Sequence, residues 1–256
     1  MIEDIKTFIW FIKKPKFYFT MFSLIIRKFF PNKDNFIEKQ KSYEWCKKNC
    51  ITLEEMFSKY NLEKKYLKNN KIFSDQHTKK INNLILKSKS NFGGQAYINL
   101  LYIICEVTNV EKAIETGVAY GWSSAAILKS IVKRSGTLIS VDMPMIKQKD
   151  YHLIGIAVEN NLRNHWELIR EPDKYGLLKA IKKINISYDL AHYDSDKSYY
   201  GRKWAYPILY KNLRKEGFLI SDDIEDNMYF NEFVTSNKLN FSILRCENKY
   251  VGVIKK

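Results

Sequence analysis

The chain reads as an α/β fold built on a mainly parallel sheet, and two observations predict it. Short apolar runs alternate with helical stretches from residue 112 to residue 254, which is the pattern of strands joined by crossover helices. Within that region the stretch from Lys112 to Asp142, KAIETGVAYGWSSAAILKSIVKRSGTLISVD, spells out one complete unit. The AIET run ends in Gly117, a Gly121-Trp-Ser-Ser step leads into a helical stretch Ser124–Val132, and LISV closes on Asp142. The order is strand, glycine turn, helix, loop, strand. Gly117 and Gly121 permit close backbone approach to a ligand, and a helix opening at Ser123 offers unpaired N–H groups and a positive dipole end. Asp142 lies about 20–25 residues past the turn, where an acid reaches a ribose diol in a Rossmann-type unit. The spacing is Gly-x-x-x-Gly, and Glu115 stands two residues before the first glycine, where it would repel a pyrophosphate. Both features favour a nucleoside without phosphate and carrying a positive amino group. An ordinary crossover with glycines at a tight turn is the alternative.

The elements before this unit are helical. Residues 7–30, TFIWFIKKPKFYFTMFSLIIRKFF, are apolar, aromatic and basic together. The longest uncharged run, Phe17–Ile26, is too short to span a membrane, and Lys13-Lys-Pro-Lys16 without a small-residue cleavage site argues against a signal peptide. Two readings stand for this arm. One is an interfacial helix on an anionic membrane surface; the other is an arm packed on its own domain or across a homo-oligomer. Residues 36–90 place Trp45, Met56, Phe57, Tyr60, Ile81 and Leu84 at helical spacing among charges, predicting two or three amphipathic helices. Thr52 and Glu55 fit a capping box opening a helix at Leu53. Gly93-Gly94 marks a boundary between a basic helical extension, 1–92, and a domain, 93–256, entered by a helix over Gln95–Val107.

After Asp142, residues Met143–Asn164 read as loop and helix. Strands follow at Trp166–Ile169, Tyr188–Tyr193 and Phe218–Ser221, with helices at Leu177–Ile184 and Trp204–Leu213 between them. Phe241–Cys246 and Tyr250–Ile254 read as a C-terminal antiparallel hairpin turning at Asn248.

Charge and cysteines bound the function. Residues 1–95 carry 20 Lys/Arg against 9 Asp/Glu, while residues 96–256 carry 23 against 19. The formal charge of +15 therefore sits mainly in the leading third, and a diffuse excess without a recognisable module disfavours nucleic acid as partner. Cys46, Cys50, Cys105 and Cys246 lack the pairing of a disulfide framework or a zinc site, which suits a reduced, cytoplasmic protein.

Ligands of an open α/β sheet bind at the carboxyl ends of its strands. Asp194 and Asp196 follow the fourth strand, and Asp222 and Asp223 follow the fifth. Acids converging there repel one another unless a cation or proton intervenes, and oxygen donors without cysteine point to magnesium or another hard divalent cation. Capping and pocket-lining acids without metal are the plainer alternative. His192 on the fourth strand is a candidate base, though a satisfied structural histidine is the commoner use of such a residue. Glu171 or Asp173, after the third strand, could reach an adenine amine.

The stretch Glu115-Thr-Gly-Val-Ala-Tyr-Gly-Trp-Ser-Ser, with Ser140-Val-Asp-Met-Pro and Gly155-x-x-Val-x-x-x-Leu-Arg-x-x-Trp166, resembles class I S-adenosylmethionine-dependent methyltransferases. The branch it is most similar to includes macrocin O-methyltransferase-like and cephalosporin-hydroxylase-like proteins. Tyr188-Asp-Leu-Ala-His-Tyr-Asp-Ser and Gly217-Phe-Leu-Ile-Ser-Asp-Asp-Ile extend the resemblance over roughly residues 93–254. It implies a Rossmann-like class I methyltransferase fold, a seven-stranded sheet whose last hairpin carries the reversed strand, and S-adenosyl-L-methionine as cofactor. Gly117, Val118 and Gly121 would contact that cofactor through backbone, Glu115 would lie near its amino group, Ser123 near its carboxylate, Asp142 on its ribose and Glu171 near its adenine. Asp194-Ser-Asp-Lys with Ser221-Asp-Asp is similar to the metal motif of cation-dependent O-methyltransferases, which implies metal ligands Asp194, Asp222 and Asp223 and a base at Lys197. The expected activity is O-methylation of a hydroxylated small molecule or sugar. A membrane-tethered acceptor, such as a cell-envelope glycan or lipid-linked precursor at the inner face of the plasma membrane, would suit the basic aromatic arm. A nucleic-acid-directed enzyme and a non-catalytic membrane-associated scaffold are the competing readings.

Overall fold

Strands β1 (Lys112–Thr116), β2 (Thr137–Val141), β3 (Trp166–Ile169), β4 (Tyr188–Tyr193), β5 (Leu213–Ser221), β6 (Asn240–Cys246) and β7 (Lys249–Lys255) form one sheet in the order β3-β2-β1-β4-β5-β7-β6. The computed structural model describes residues 9, 11–27, 33–67, 71–88, 91–144 and 150–256, so part of the arm over 7–30 and of the loop after Asp142 lies outside the described residues. β1 to β5 run parallel, while β7 is antiparallel to both β5 and β6. The expected C-terminal hairpin therefore supplies the reversed strand.

Helices α1 (Tyr18–Arg27), α2 (Phe36–Asn49), α3 (Leu53–Lys59), α4 (Asp75–Lys87) and α5 (Ile98–Val107) precede the sheet, and α6 (Trp122–Ile131), α7 (Asp173–Ile184), α8 (Tyr199–Asn212) and α9 (Tyr229–Ser236) alternate with its strands. α3 begins where its capping box predicts: Glu55 N–H donates to Thr52 Oγ1 at 3.2 Å, and Thr52 N–H donates to Glu55 Oε2 at 2.7 Å. Two apolar layers sandwich the sheet. Met56 and Phe57 of α3 and Tyr60, which ends it, share the first with Leu100, Leu101, Ala125 and Leu128 of α5 and α6. Leu177, Ala205, Tyr206 and Phe230 of α7, α8 and α9 fill the second. The basic extension thus helps build the domain's own core. Among the described residues no helix is long and apolar enough to cross a membrane.

Two helices start earlier than periodicity alone places them, and both shifts matter to the site. α7 opens at Asp173, behind Pro172, because an acid in the first turn favours the helix's positive end. α8 opens at Tyr199 because Ser198 caps it, its hydroxyl accepting from Gly201 N–H at 3.1 Å. The helix allowed for between Met143 and Asn164 is replaced, over the described part, by 3₁₀ turns at Tyr151–Leu153 and Asn160–His165.

Candidate active site

The strand order reverses between β1 and β4, the place where an open sheet leaves a crevice at its carboxyl edge. Ladder hydrogen bonds run one residue past the strands there. Gly117 N–H donates to Val141 C=O at 2.8 Å, Asp142 N–H to Ile169 C=O at 3.0 Å, Asp194 N–H to Thr116 C=O at 2.8 Å, and Asp222 N–H to Tyr193 C=O at 3.1 Å. One edge thereby fixes a glycine and three aspartates side by side. Gly117 has φ of +83°, and a Cβ on it would lie 2.1 Å from the Asp194 carbonyl oxygen. Glycine is needed here so that the ends of β1 and β4 can touch.

A cavity of about 760 Å³ opens over this edge. Gly117, Val118, Ala119 and Asp142 line one side; Asp173, Asp194, Lys197, Asp222, Asp223 and Lys249 line the other. Thr20 and Ser23 of α1 also face it, as does the Phe92–Tyr97 segment. The volume falls within the roughly 300–1,000 Å³ of small-molecule sites.

Four residues expected at the cofactor lie elsewhere. Glu115 is fully buried beneath the cavity, where it accepts from the Ser124 hydroxyl, from Ser140 Oγ at 2.8 Å and from His192 Nδ1 at 3.2 Å. It is the floor's counter-charge, and it does not line the cavity. Gly121 caps α6 with φ of +85°, and a Cβ there would lie 2.7 Å from Gly155 Cα. Its glycine serves loop packing. Ser123 is buried in the first turn of α6 outside the lining, and Glu171 pairs with Lys179 at 2.6 Å, also outside it.

The acidic side is a charge lattice. Lys197 Nζ lies 2.9 Å from Asp194 Oδ1 and donates to Asp223 Oδ2, while Lys249 Nζ lies 2.7 Å from Asp223 Oδ1. Burial opposes the charge on Lys197, but Asp194 and Asp223 outweigh it and hold its ammonium well above the ordinary lysine range. Lys197 is therefore a cation here and a poor base, which corrects its expected role. His192 is fully buried; desolvation works against its proton, yet Asp222 and Glu115 raise it to about 10. With Glu115 at 3.2 Å and Asp222 Oδ2 at 3.7 Å from its ring nitrogens, it is a structural imidazolium. Burial, then the Asp222 charge, lifts Asp194 to about 6, and burial lifts Asp173, bonded by the Ser195 hydroxyl, also to about 6.

Three groups that sequence reasoning passed over complete the site. Arg170 donates to Asp142 Oδ2, and burial pushes that carboxyl upward against this pairing. Lys249 comes from β7. Arg202 is fully buried on α8, and its Nη2 donates to the carbonyls of Asp222 at 3.2 Å and Asp223 at 2.6 Å, pinning the loop after β5. Register could have found the first two: Val141 pairs with Ile169, making Asp142 and Arg170 neighbours, and a reversed strand beside β5 brings its own first residue to β5's acidic end.

Residues 114–224 match a family model described as a methyltransferase domain. That segment, from the second half of β1 to the loop after β5, is what the chain shares with the family. Solved structures agree on the fold at low identity. An O-methyltransferase from Bacillus cereus in complex with SAH has a TM-score of 0.58 at 13% identity, over 75% of this chain and 96% of that one. The O-methyltransferase TomG from Streptomyces achromogenes, in complex with SAM, has 0.54 at 11%, over 75% and 94%. The SAH-bound Podospora anserina methyltransferase PaMTH1 has 0.53 at 12%, over 86% and 96%. No curated protein sequence matches the chain. The matched segment ends at Ile224, so Lys249, which lines the cavity, and the reversed hairpin lie beyond it.

Proposed function

We propose that this chain is an S-adenosylmethionine-dependent O-methyltransferase acting on a hydroxylated small molecule or sugar. The observation that carries the reading is the cavity edge that joins a glycine turn, a ribose-competent carboxylate and a half-buried carboxylate of raised pKa. When bound, the cofactor supplies an electrophilic methyl group on a sulfonium. Gly117, Val118 and Ala119 would flank it through backbone, and Asp142, oriented by Arg170, would accept from its ribose hydroxyls. Transfer in line needs little beyond correct placement, but a hydroxyl acceptor must also lose its proton. Asp194 faces the cavity and titrates near the neutral range, so it is the group that takes that proton. Lys197 and Lys249 then steady the developing negative charge on oxygen.

The divalent cation expected on Asp194, Asp222 and Asp223 does not fit the donor set. Three carboxylates are already matched by three cations, Lys197, Lys249 and the His192 imidazolium. Both oxygens of Asp223 face ammonium groups, and among the described residues no cluster of three or more His, Cys, Asp or Glu side chains has metal-holding geometry.

The test is incubation of the chain and isotope-labelled S-adenosylmethionine with fractionated cell extract, followed by mass spectrometry. An acceptor that gains one methyl group on oxygen supports the proposal. Label that stays on the cofactor in every fraction, or arrives on nitrogen, defeats it.

A further inference from the structure

The arm has a buried face and a bare one. Phe11, Phe17 and Met21 are 1%, 2% and 7% exposed and pack with Tyr18 against Met143 and Tyr175. Ile9, Ile12, Phe22, Ile25 and Ile26 are 46%, 46%, 54%, 36% and 51% exposed. Phe22, Ile25 and Ile26 stand three and four residues apart, one stripe along α1. Lys13 and Lys14 are exposed at the turn that precedes the helix, and residues 7–30 contain five basic residues and no acidic one. Isolated surface apolar residues are ordinary, but a stripe of three on one short helix, with two more exposed just before it, is apolar surface that water penalises.

The chemistry of the patch selects its occupant. Large apolar side chains and lysines, in a stretch over 7–30 whose sequence holds no acidic residue, match the boundary of an anionic bilayer, where the apolar groups enter the acyl region and the lysines meet headgroups. We propose that α1 and the segment before it lie flat on an anionic membrane surface. Met21 and Phe17 anchor the helix to the domain, so docking carries the domain with it. Thr20 and Ser23 of the same helix line the cavity, so docking sets one cavity wall at the lipid surface and suits an acceptor presented by the bilayer. That last consequence rests on the methyl-transfer reading; the docking itself does not.

Sedimentation of the full chain with vesicles of phosphatidylcholine, with and without phosphatidylglycerol, tests it. The chain pellets with the anionic vesicles and stays in solution with the neutral ones. Phe22→Ser with Ile26→Ser lowers the partition coefficient by about tenfold or more. Lys13→Gln and Lys14→Gln each lower it by about fivefold, and added salt acts in the same direction. Unchanged cofactor affinity in these variants, all at exposed positions, shows that they remain folded. The proposal is overturned if the wild type ignores both vesicle types, or if Phe22→Ser with Ile26→Ser pellets undiminished. It is equally overturned if the wild type is a dimer that those two substitutions dissociate, since a second copy then covers the stripe. Sedimentation needs no turnover, so it can fail while the methyl-transfer reading stands, and the reverse.

Discussion

The two halves of the cavity edge are built on opposite principles. Beside β1 and β2 the chain offers backbone from Gly117 to Ala119 and one carboxylate, Asp142, held by one cation, Arg170. Beside β4 and β5 it offers carboxylates and ammonium groups locked together across three elements. The first half suits recognition, since main-chain groups and one acid can bond a ligand without rearranging. The second suits chemistry, since dense opposite charges set one carboxylate's proton affinity and answer charge that develops on a neighbouring atom.

The contrast is broken most sharply by Asp194→Asn. It removes the proton acceptor and should lower kcat by about 10²–10⁴-fold, while calorimetry shows cofactor affinity nearly unchanged; an unaltered kcat would move the base elsewhere. Glu115→Ala leaves the His192 imidazolium buried without its carboxylate and should cost about 3–5 kcal/mol in urea unfolding. A near-neutral result would mean that the floor carries no charge. Asp142→Ala acts on the recognition half and should weaken the cofactor by about 10–100-fold, the worth of hydrogen bonds to a charged acceptor, with kcat at saturation little affected.

pH sharpens the same division. Asp194 works deprotonated, so kcat/KM should fall as pH drops through about 6. Lys197→Met removes a positive charge that favours the carboxylate, so that acidic limb should move to higher pH by about one unit. A limb that stays in place would uncouple the two residues. The smallest expected effect is that of exhaustive chelation, which should leave turnover within about twofold because the lysines already balance the acids. A large loss restored by magnesium would reinstate the cation.

The recognition half was legible in the sequence because its information is local. The bounds of β3 and β4 and the glycine turn follow from apolar runs and turn residues within a few positions. Glu115 and Gly121, expected at the cofactor, lie outside the cavity lining and pack in the layer beneath it: a carboxylate or glycine beside a ligand motif can serve that layer. The chemical half was only partly legible. The acids at Asp194, Asp222 and Asp223 were visible as residues after strands, but their counter-ions depend on long-range pairing. Among 43 lysines and arginines, nothing near Arg202 signals that it returns to the loop after β5, and Lys249 is found only through the register of a reversed strand beside β5. Lys197 lines the cavity as a cation whose raised pKa was not legible, because it depends on neighbours that only the fold assembles. The arm over 7–30 presented two readings with one composition; of its described residues, Phe11, Phe17 and Met21 are buried and Phe22, Ile25 and Ile26 are exposed.

The central claim is that a sulfonium nucleoside, and no pyrophosphate dinucleotide, occupies the crevice at the carboxyl edge of the sheet where the strand order reverses between β1 and β4. Titrating the full chain with S-adenosylmethionine and, separately, with a nicotinamide dinucleotide in a calorimeter tests it most directly. The account predicts saturable binding of S-adenosylmethionine that Asp142→Ala weakens, and no binding of the dinucleotide. Binding of the dinucleotide alone, or S-adenosylmethionine binding indifferent to Asp142→Ala, would contradict it.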